Sequence, residues 1–266
     1  RMKRRPPLRY PWYTFIESGL GFPFLHPYRQ EGKPLLLYEI NCHRTDKFRA
    51  EFPLLHAVCA SWADLDGIFF YIWDYGFSRD EKRLVNDRLY YPTTDHPPHG
   101  YVFYSDEVFL ATCLTAGKIF LHGYLKPPER PTVVKYGRED LDNIRQRWYG
   151  VLHRVYATAL KHGLAISFDP SSERTRIEGE VAKTENSRKW SLDKRLLWDA
   201  DEGVFLLDLP EAKAAAGFLP PQIEFTGGIR LERVRKLWLD PDDIEPPKGG
   251  KAGRYRPYYC LSLIHI

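Results

Sequence analysis

The chain has 266 residues, of which 43% are hydrophobic and 28% charged, and its formal net charge is +4. This balance is typical of a folded globular protein and excludes an intrinsically disordered one. Basic and acidic residues are interspersed, so the basic stripe with interleaved aromatic residues that marks many nucleic-acid-binding proteins is absent. No apolar run approaches the roughly 20 residues that span a bilayer. We therefore expect neither a nucleic-acid nor a membrane partner.

The cysteine and histidine spacing predicts no metal site. Four cysteines are widely scattered and show no CxxC or Cys/His ligand pattern. They are Cys42, Cys59, Cys113 and Cys260. His96 and His99 are close in sequence but have no third ligand at a sensible spacing. We expect buried free thiols, no disulfide framework, no metal and no cofactor.

Residues 32–73 predict a strand, a helix and a second strand. The apolar run 35–38 follows a Gly-Lys-Pro turn and ends at Glu39. Apolar residues at helical spacing indicate a helix over 48–62, and a second apolar run covers 68–73. Short continuous apolar runs are typical of strands buried on both faces of a parallel sheet. The order strand, helix, strand is one βαβ crossover, the repeating unit of an α/β barrel.

Further along the chain, a long polar loop over 77–104 precedes a helix, for which Ser105 is the predicted N-cap and Gly123 the end. Three prolines within residues 126–131 mark the best domain boundary. The elements predicted beyond it are a strand at 132–136, a helix at about 139–161, a hairpin of 195–199 with 204–209, and a closing strand within 254–263. Residues 170–190 and 240–253 are expected to be loops.

Three segments of the chain resemble strand seven and the following unit of one clan of enzymes. They are GKPLLLYEIN at 32–41, FRAEFP at 48–53 and DGIFFY at 66–71. The clan is that of the (β/α)8 glycoside hydrolases that cleave with retention, including β-galactosidase-like and cellulase-like members. The resemblance implies an α/β fold in which residues 1–128 form the C-terminal part of a TIM barrel. Residues 129–266 would then form a smaller β-rich, β-sandwich-like domain with one long helix, truncated at its C-terminus.

The resemblance also implies the chemistry. In this clan a glutamate that ends strand seven is the nucleophile, a role that falls on Glu39. Active sites of such barrels lie at the carboxyl ends of the strands, where Glu39 is expected. A retaining enzyme needs a second carboxyl about 5–5.5 Å away as acid/base. A nucleophilic carboxylate also needs hydrogen-bond donors or a nearby cation that stabilise its charge.

Four further residues are expected to bind substrate. By resemblance, Trp73 forms the aromatic floor beneath the attacked sugar, although a core role for this indole fits equally well. Asn41 either binds a sugar hydroxyl or holds a neighbouring loop. His43 and Tyr75 are candidates for the rim of the cleft. Aromatic residues form 15% of the chain, and such rings either stack on pyranoses or fill a β-rich core.

Two aspartates near the second strand receive a structural interpretation. Asp64 and Asp66 form a tempting carboxylate pair, but they lie in the loop that enters the second strand. That loop belongs to the bottom of a barrel, where structural roles dominate. We expect both to cap turns.

The second catalytic carboxyl is not expected within this chain. At roughly 30 residues per βα unit of a ~250-residue barrel, the chain holds only the last two units. The acid/base, expected in an Asn-Glu pair at the end of strand four, would precede residue 1. We therefore expect the parent protein to cleave a β-linked oligosaccharide or polysaccharide by double displacement, and the chain alone to be inactive. The last five or six residues resemble an adapter-derived tail. The cellular location and oligomeric state are not indicated.

Two other interpretations remain open. The first is a non-catalytic carbohydrate-binding or structural module on a degenerate barrel, which the loss of the upstream Asn-Glu pair would favour. The second is an unrelated α+β interaction protein. It would be favoured if Glu39 and Trp73 do not lie together at the ends of adjacent parallel strands.

Overall fold

The structure is a computed structural model that describes a defined part of the chain. The described residues are 14–18, 29–40, 42, 48–70, 106–142, 157–182, 188–220, 222–232 and 259–265. The helices are α1 (Phe15–Ser18), α2 (Glu51–Trp62), α3 (Glu107–Leu121) and α4 (Arg138–Asp142), and residues 157–162 are also helical. The strands of the first half are β1 (Leu36–Ile40) and β2 (Gly67–Phe70). The others are β3 (Thr132–Tyr136), β4 (Leu164–Phe168), β5 (Arg176–Glu178), β6 (Lys189–Leu192), β7 (Leu196–Asp199), β8 (Val204–Asp208), β9 (Ala212–Gly217), β10 (Gln222–Glu224), β11 (Arg230–Glu232) and β12 (Tyr259–His265).

The first strand, helix and strand form the predicted βαβ unit. β1 and β2 are parallel, with Leu36 opposite Gly67 and Leu37 opposite Ile68. The connecting helix α2 has Pro53 in its first turn, where a missing backbone N–H is tolerated. Every residue of α2 is buried, and the helix packs against α3. The prediction of parallel strands is confirmed.

The prediction that these strands are buried on both faces is wrong for the described part of the chain. The side chains that pack on the core are Leu35, Leu37 and Ile68, and those left exposed are Leu36, Tyr38 and Phe69. In the described residues β1 and β2 pair only with each other. Their core side packs against the large hydrophobic cluster that includes α2, so only that face is buried. A closed eight-stranded barrel stays a prediction.

A second parallel pair lies beyond the proline-rich segment. β3 and β4 are parallel in register from Thr132 and Leu164 onward, and β5 pairs with β3 on the other side in the antiparallel sense. The segment before β1 joins this sheet, because Ile166 donates a backbone hydrogen bond to Arg29 and accepts one from Glu31, both at 2.8 Å. The predicted helix 139–161 is described only at its two ends.

The remaining strands form mainly antiparallel sheets. β6, β7, β8 and β9 are consecutive antiparallel neighbours, and β12 pairs with β9 at the edge of this five-stranded sheet. The predicted hairpin corresponds to β7 and β8 and is confirmed. The closing strand is β12, which pairs with β9 along its length, from Tyr259 opposite Gly217 to His265 opposite Ala212. The expected loop over 170–190 is partly wrong, since it contains β5 and the start of β6.

One hydrophobic core connects the residues on both sides of the predicted domain boundary. The indole Nε1 of Trp62 donates to the carbonyl of Ala159 at 2.9 Å, and the rings of Trp62 and Trp190 lie 5.7 Å apart. Trp198 Nε1 donates to the carbonyl of Ile16, also at 2.9 Å. The contact of Trp62 with Trp190 joins the first βαβ unit to the antiparallel sheet. Among the described residues, no helix is long and apolar enough to cross a bilayer.

The buried imidazole of His56 makes the stability of this core sensitive to acid. His56 Nδ1 lies 2.8 Å from the carbonyl oxygen of Phe52, and burial lowers the pKa of His56 from 6.5 to about 4. Below pH 6.5 the unfolded chain binds a proton that the folded chain does not. We predict that the contribution of the neutral, buried His56 to the free energy of unfolding is fully present above pH 6.5. It should be lost, by up to roughly 3 kcal/mol, as the pH falls towards 4.

Urea unfolding between pH 7 and pH 4 measures this loss. The variant His56→Asn, which has no imidazole, should be less stable at neutral pH and should lose less stability on acidification than the unmodified chain. His122→Asn, at an exposed position, is the matched control and should keep the original slope. An equal slope in all three proteins would contradict the assignment.

Candidate functional site

A β-bulge lies at the carboxyl end of β1, at the predicted nucleophile. Leu37 pairs with Ile68, and the next pair along the strands is Ile40 with Phe70. Two residues of β1, Tyr38 and Glu39, therefore oppose the single residue Phe69 of β2. An extra residue of this kind bends the strand and redirects a side chain, and bulges are over-represented next to active sites.

The bulge places Glu39 in an unusual backbone conformation. Its φ angle is 55°, in the left-handed region that L-residues with a Cβ rarely adopt. Asp64 and Asp193 are the other non-glycine residues with positive φ in the described part of the chain. Both are aspartates in turns, where a short polar side chain tolerates this region. Glu39 has no such local compensation, and backbone strain of this type accumulates at functional sites.

The carboxylate of Glu39 is exposed to solvent. Within the described ranges, no side chain or backbone group donates a hydrogen bond to it, and no cation pairs with it. The donor or cation that a nucleophilic carboxylate requires is thus not among these residues. The predicted substrate-binding residues Asn41, His43, Trp73 and Tyr75 lie outside the described residues. Their roles stay predictions.

An ion pair joins the start of α2 to the start of α3, and the sequence did not predict it. Arg49 Nε lies 2.7 Å from Asp106 Oδ2, and the Asp106 side chain is only 3% exposed. The other carboxylate oxygen, Oδ1, accepts a hydrogen bond from the backbone N–H of Phe109 at 3.1 Å. Asp106 is thus the N-cap of α3, the role predicted for its neighbour Ser105, which lies outside the described residues.

This ion pair connects the loop after β1 with the helix after β2. The Cys42 Sγ, two residues beyond the strand, donates to the carbonyl of Arg49 at 4.0 Å. Cys42 and Arg49, both among the described residues, are therefore in contact beside the end of β1. The preference of aspartate for N-caps was a usable signal for Asp106. No local pattern indicates a partner 57 residues away.

A cluster of aromatic rings forms an apolar layer under these strand ends. The rings of Phe70 and Phe109 meet edge to face with centroids 5.3 Å apart, and Phe52 lies 6.1 Å from Phe70. Cys42 and Cys113 pack in the same cluster. Burial, assisted by the negative charge of Asp106, raises the pKa of the Cys113 thiol to about 12. This thiol is therefore protonated at neutral pH and is a poor nucleophile.

The two aspartates at the opposite end of β1 and β2 have the predicted structural roles. Asp66 Oδ2 accepts a hydrogen bond from the backbone N–H of Leu35 at 2.8 Å, at the start of β1. Asp64 occupies a left-handed turn position and forms an ion pair with Arg29. These carboxylates therefore hold the entry to the strands and lie away from Glu39.

Three comparisons with known proteins gave no match to this chain. No protein-family model, no curated protein and no solved structure matches it. In the part of the chain that the structure describes, no group of three or more His, Cys, Asp or Glu side chains is placed to hold a metal ion. Any functional assignment therefore depends on the residues and the geometry around the end of β1.

The backbone strain at Glu39 predicts an inverted response to glycine. At an ordinary position a protein with alanine is more stable than the same protein with glycine. At a positive φ angle glycine avoids a conformational cost of about 1–2 kcal/mol that alanine does not avoid. We predict that Glu39→Gly unfolds at a higher urea concentration than Glu39→Ala, by about 1 kcal/mol in free energy of unfolding. The matched position is Glu31, an exposed turn residue that is not among those with positive φ. There the order should reverse, and alanine ranking above glycine at both positions would refute the strained conformation.

Proposed function

We propose that this chain is part of a retaining glycoside hydrolase in which Glu39 is the catalytic nucleophile. The enzyme cleaves the O-glycosidic bond of a β-linked saccharide by double displacement. In this proposal the chain supplies the C-terminal βα units of a (β/α)8 barrel and a following β-rich domain. The acid/base is a glutamate that follows an asparagine at the end of an earlier barrel strand, before residue 1.

The observation that carries the proposal is the left-handed bulge at Glu39. The bulge directs an exposed carboxylate from the carboxyl end of a strand that is paired in parallel with its neighbour. This is where catalytic residues of α/β barrels are placed. A glutamate with a purely solvating role needs neither the extra residue nor the strained φ angle, since the ordinary extended conformation would expose it equally well.

The proposed chemistry uses the two carboxyl groups in turn. A Glu39 oxygen attacks the anomeric carbon while the bond from that carbon to the leaving oxygen breaks, and the acid/base gives its proton to the leaving oxygen. A glycosyl ester on Glu39 results. A water molecule, deprotonated by the acid/base, then attacks the same carbon and releases Glu39. Two inversions give net retention.

A second candidate function is a non-catalytic carbohydrate-binding or structural module on a degenerate barrel. One observation favours it: the described residues provide neither a hydrogen-bond donor nor a cation for the Glu39 carboxylate. A nucleophile needs such groups to stabilise its charge. A residue that only contacts a sugar hydroxyl does not.

Azide rescue in the polypeptide that includes the upstream barrel strands separates these candidates. The substrates are aryl β-galactoside, β-glucoside and β-mannoside, and NMR identifies the anomer of the product. We predict that Glu39→Gly lowers the hydrolysis rate by on the order of 10³-fold or more, because the covalent intermediate is lost. Azide fills the space that the Glu39 side chain leaves and attacks the anomeric carbon from the side where Glu39 would attack. It should restore cleavage and yield a glycosyl azide of inverted configuration.

Two controls accompany this experiment. Glu31→Gly, which removes an exposed carboxylate at the other end of β1, should retain full activity. The chain of residues 1–266 alone should release no sugar, since the acid/base is not part of it. Unchanged hydrolysis by Glu39→Gly, or no azide product from an otherwise folded variant, would remove the catalytic assignment and leave the second candidate.

A further inference from the structure

The two core-facing residues of β1 that flank the bulge are three positions apart. Leu37 packs on the main hydrophobic core, and Ile40 packs against the aromatic cluster beneath the strand ends. Their partners in β2, Ile68 and Phe70, are two positions apart and pack on the same two clusters. Because side chains alternate between the faces of a strand, residues two positions apart share a face. Both clusters thus lie on one side of the sheet, and Leu37 and Ile40 face it together.

A regular strand cannot place these two residues on one face. Without the extra residue, alternation would put Glu39 on the same face as Leu37, towards the core, and would put Ile40 on the opposite face. The bulge reverses this order from Ile40 onward. Glu39 is consequently exposed, and Ile40 is partly buried. The contact that holds Ile40 on the core side is therefore also the contact that turns Glu39 away from the core.

The apolar site that receives Ile40 is built around Phe109 of α3. Phe109 is 1% exposed, and its ring meets that of Phe70 edge to face with centroids 5.3 Å apart. Phe70 is in turn the partner of Ile40 in β2. The ring of Phe52, from α2, lies 6.1 Å from that of Phe70 and 6.5 Å from that of Phe109. Phe109 is the most deeply buried of the three rings and supports Phe70 from the side of α3.

Polar contacts hold Phe109 itself in place. Its backbone N–H donates to Asp106 Oδ1 at 3.1 Å, and Asp106 Oδ2 lies 2.7 Å from Arg49 Nε. The ion pair fixes the start of α3 relative to the start of α2, the helix that carries Phe52. A group whose position is locked by packing and by hydrogen bonds can in turn fix the position of its neighbours.

We infer that Phe109 is a positioning residue for Glu39. It acts through Phe70 and Ile40, because the rings keep Ile40 on the core side and the extra residue of β1 then turns Glu39 away from the core. This inference rests on the proposed function, since it gives Phe109 a part in orienting the nucleophile. A carboxylate also avoids an apolar core on its own account. The contribution of the rings is therefore measured with uncharged residues in place of Glu39.

Urea unfolding of the purified chain measures the coupling between Phe109 and the bulge. Glu39→Gly and Glu39→Ala are compared in the unmodified chain and in combination with Phe109→Leu. In the unmodified chain glycine should lower the unfolding equilibrium constant about fivefold relative to alanine, because glycine adopts the left-handed φ angle without strain. With Phe109→Leu this ratio should fall below about twofold, since a strand released from the rings can alternate regularly and alanine is then unstrained.

Two further variants are compared in the same way. Ile40→Ala removes the same contact from the side of the strand and should also lower the ratio, so it tests the inference even where Phe109→Leu does not fold. Phe205→Leu is the matched control. It truncates a fully buried ring that packs edge to face on Trp198 in the antiparallel sheet. This variant should lose stability but keep the ratio of about fivefold, because distant sites act independently.

Kinetics of the proposed parent enzyme test the consequence for catalysis. Phe109→Leu should lower kcat by about ten- to a hundredfold, because a nucleophile displaced by about 1 Å loses its alignment with the anomeric carbon. KM should stay within about twofold, since binding of the substrate in its ground state is unchanged. Phe205→Leu should alter neither constant. Rates are expressed per folded molecule, so that a loss of stability alone does not lower kcat.

Several results would overturn the role of Phe109. These are equal stability of the glycine and alanine variants in the unmodified chain, an unchanged ratio with both Phe109→Leu and Ile40→Ala, or an equal fall of the ratio with Phe205→Leu. An unchanged kcat in the Phe109→Leu enzyme would overturn it as well.

The coupling and the azide rescue give separate answers. If the coupling is found but azide rescue fails, the rings fix the bulge, and both the hydrolase and the part of Phe109 in catalysis are wrong. If azide rescue succeeds and the coupling is absent, the hydrolase stands and Phe109 is not a positioning residue.

Discussion

The extra residue in β1 is the constraint on which the candidate site depends. Before the bulge, Leu35 and Leu37 are fixed by their packing on the core, and Leu37 lies opposite Ile68. After it, Ile40 returns to pair with Phe70 and packs against the aromatic cluster beneath the strand ends. Since both flanking segments are held, the surplus length is taken up by Tyr38 and Glu39. The left-handed φ angle of Glu39 is the consequence.

The surroundings of the bulge are built to hold that geometry. Helix α2 is buried along its whole length and connects the two strands with α3 and with the antiparallel sheet. The ion pair of Arg49 with the buried Asp106 ties the turn before α2 to the N-cap of α3. A strained residue persists only where its neighbours determine its position. A rigid support of this kind is also what a catalytic or binding group requires.

Two parts of the fold were predictable from periodicity and turn residues. The first βαβ unit and the hairpin of β7 and β8 follow from apolar runs bounded by Gly, Pro and acidic turns, and both were confirmed. The burial of β1 on both faces was wrong, because an apolar run indicates a strand but not how many layers cover it. The strands within 170–190 were missed because their residues are mostly exposed and polar, as suits the edge of a sheet.

The site was predictable in part. Glu39 was selected because the residues around it resemble strand seven of the retaining glycoside hydrolases. Its position at the carboxyl end of β1 is confirmed, and its catalytic role stays a prediction. Its bulge and positive φ angle had no signal in the sequence, because glutamate is a poor residue for the left-handed region. The partner of Arg49 was equally hidden, since tertiary folding alone brings it to Asp106. The exposure of Tyr38 and Phe69 depends on which side of the sheet the helices cover, which apolar runs do not specify.

Covalent trapping of Glu39 tests the central claim most directly. A 2-deoxy-2-fluoro-β-glycoside with a dinitrophenolate leaving group needs no acid catalyst, and its glycosyl ester hydrolyses slowly. After incubation with the proposed parent enzyme, mass spectrometry of the digested protein should find the fluorosugar on the peptide that contains Glu39. A fluorosugar attached to a different carboxylate, or steady hydrolysis without any label on Glu39, would contradict the account.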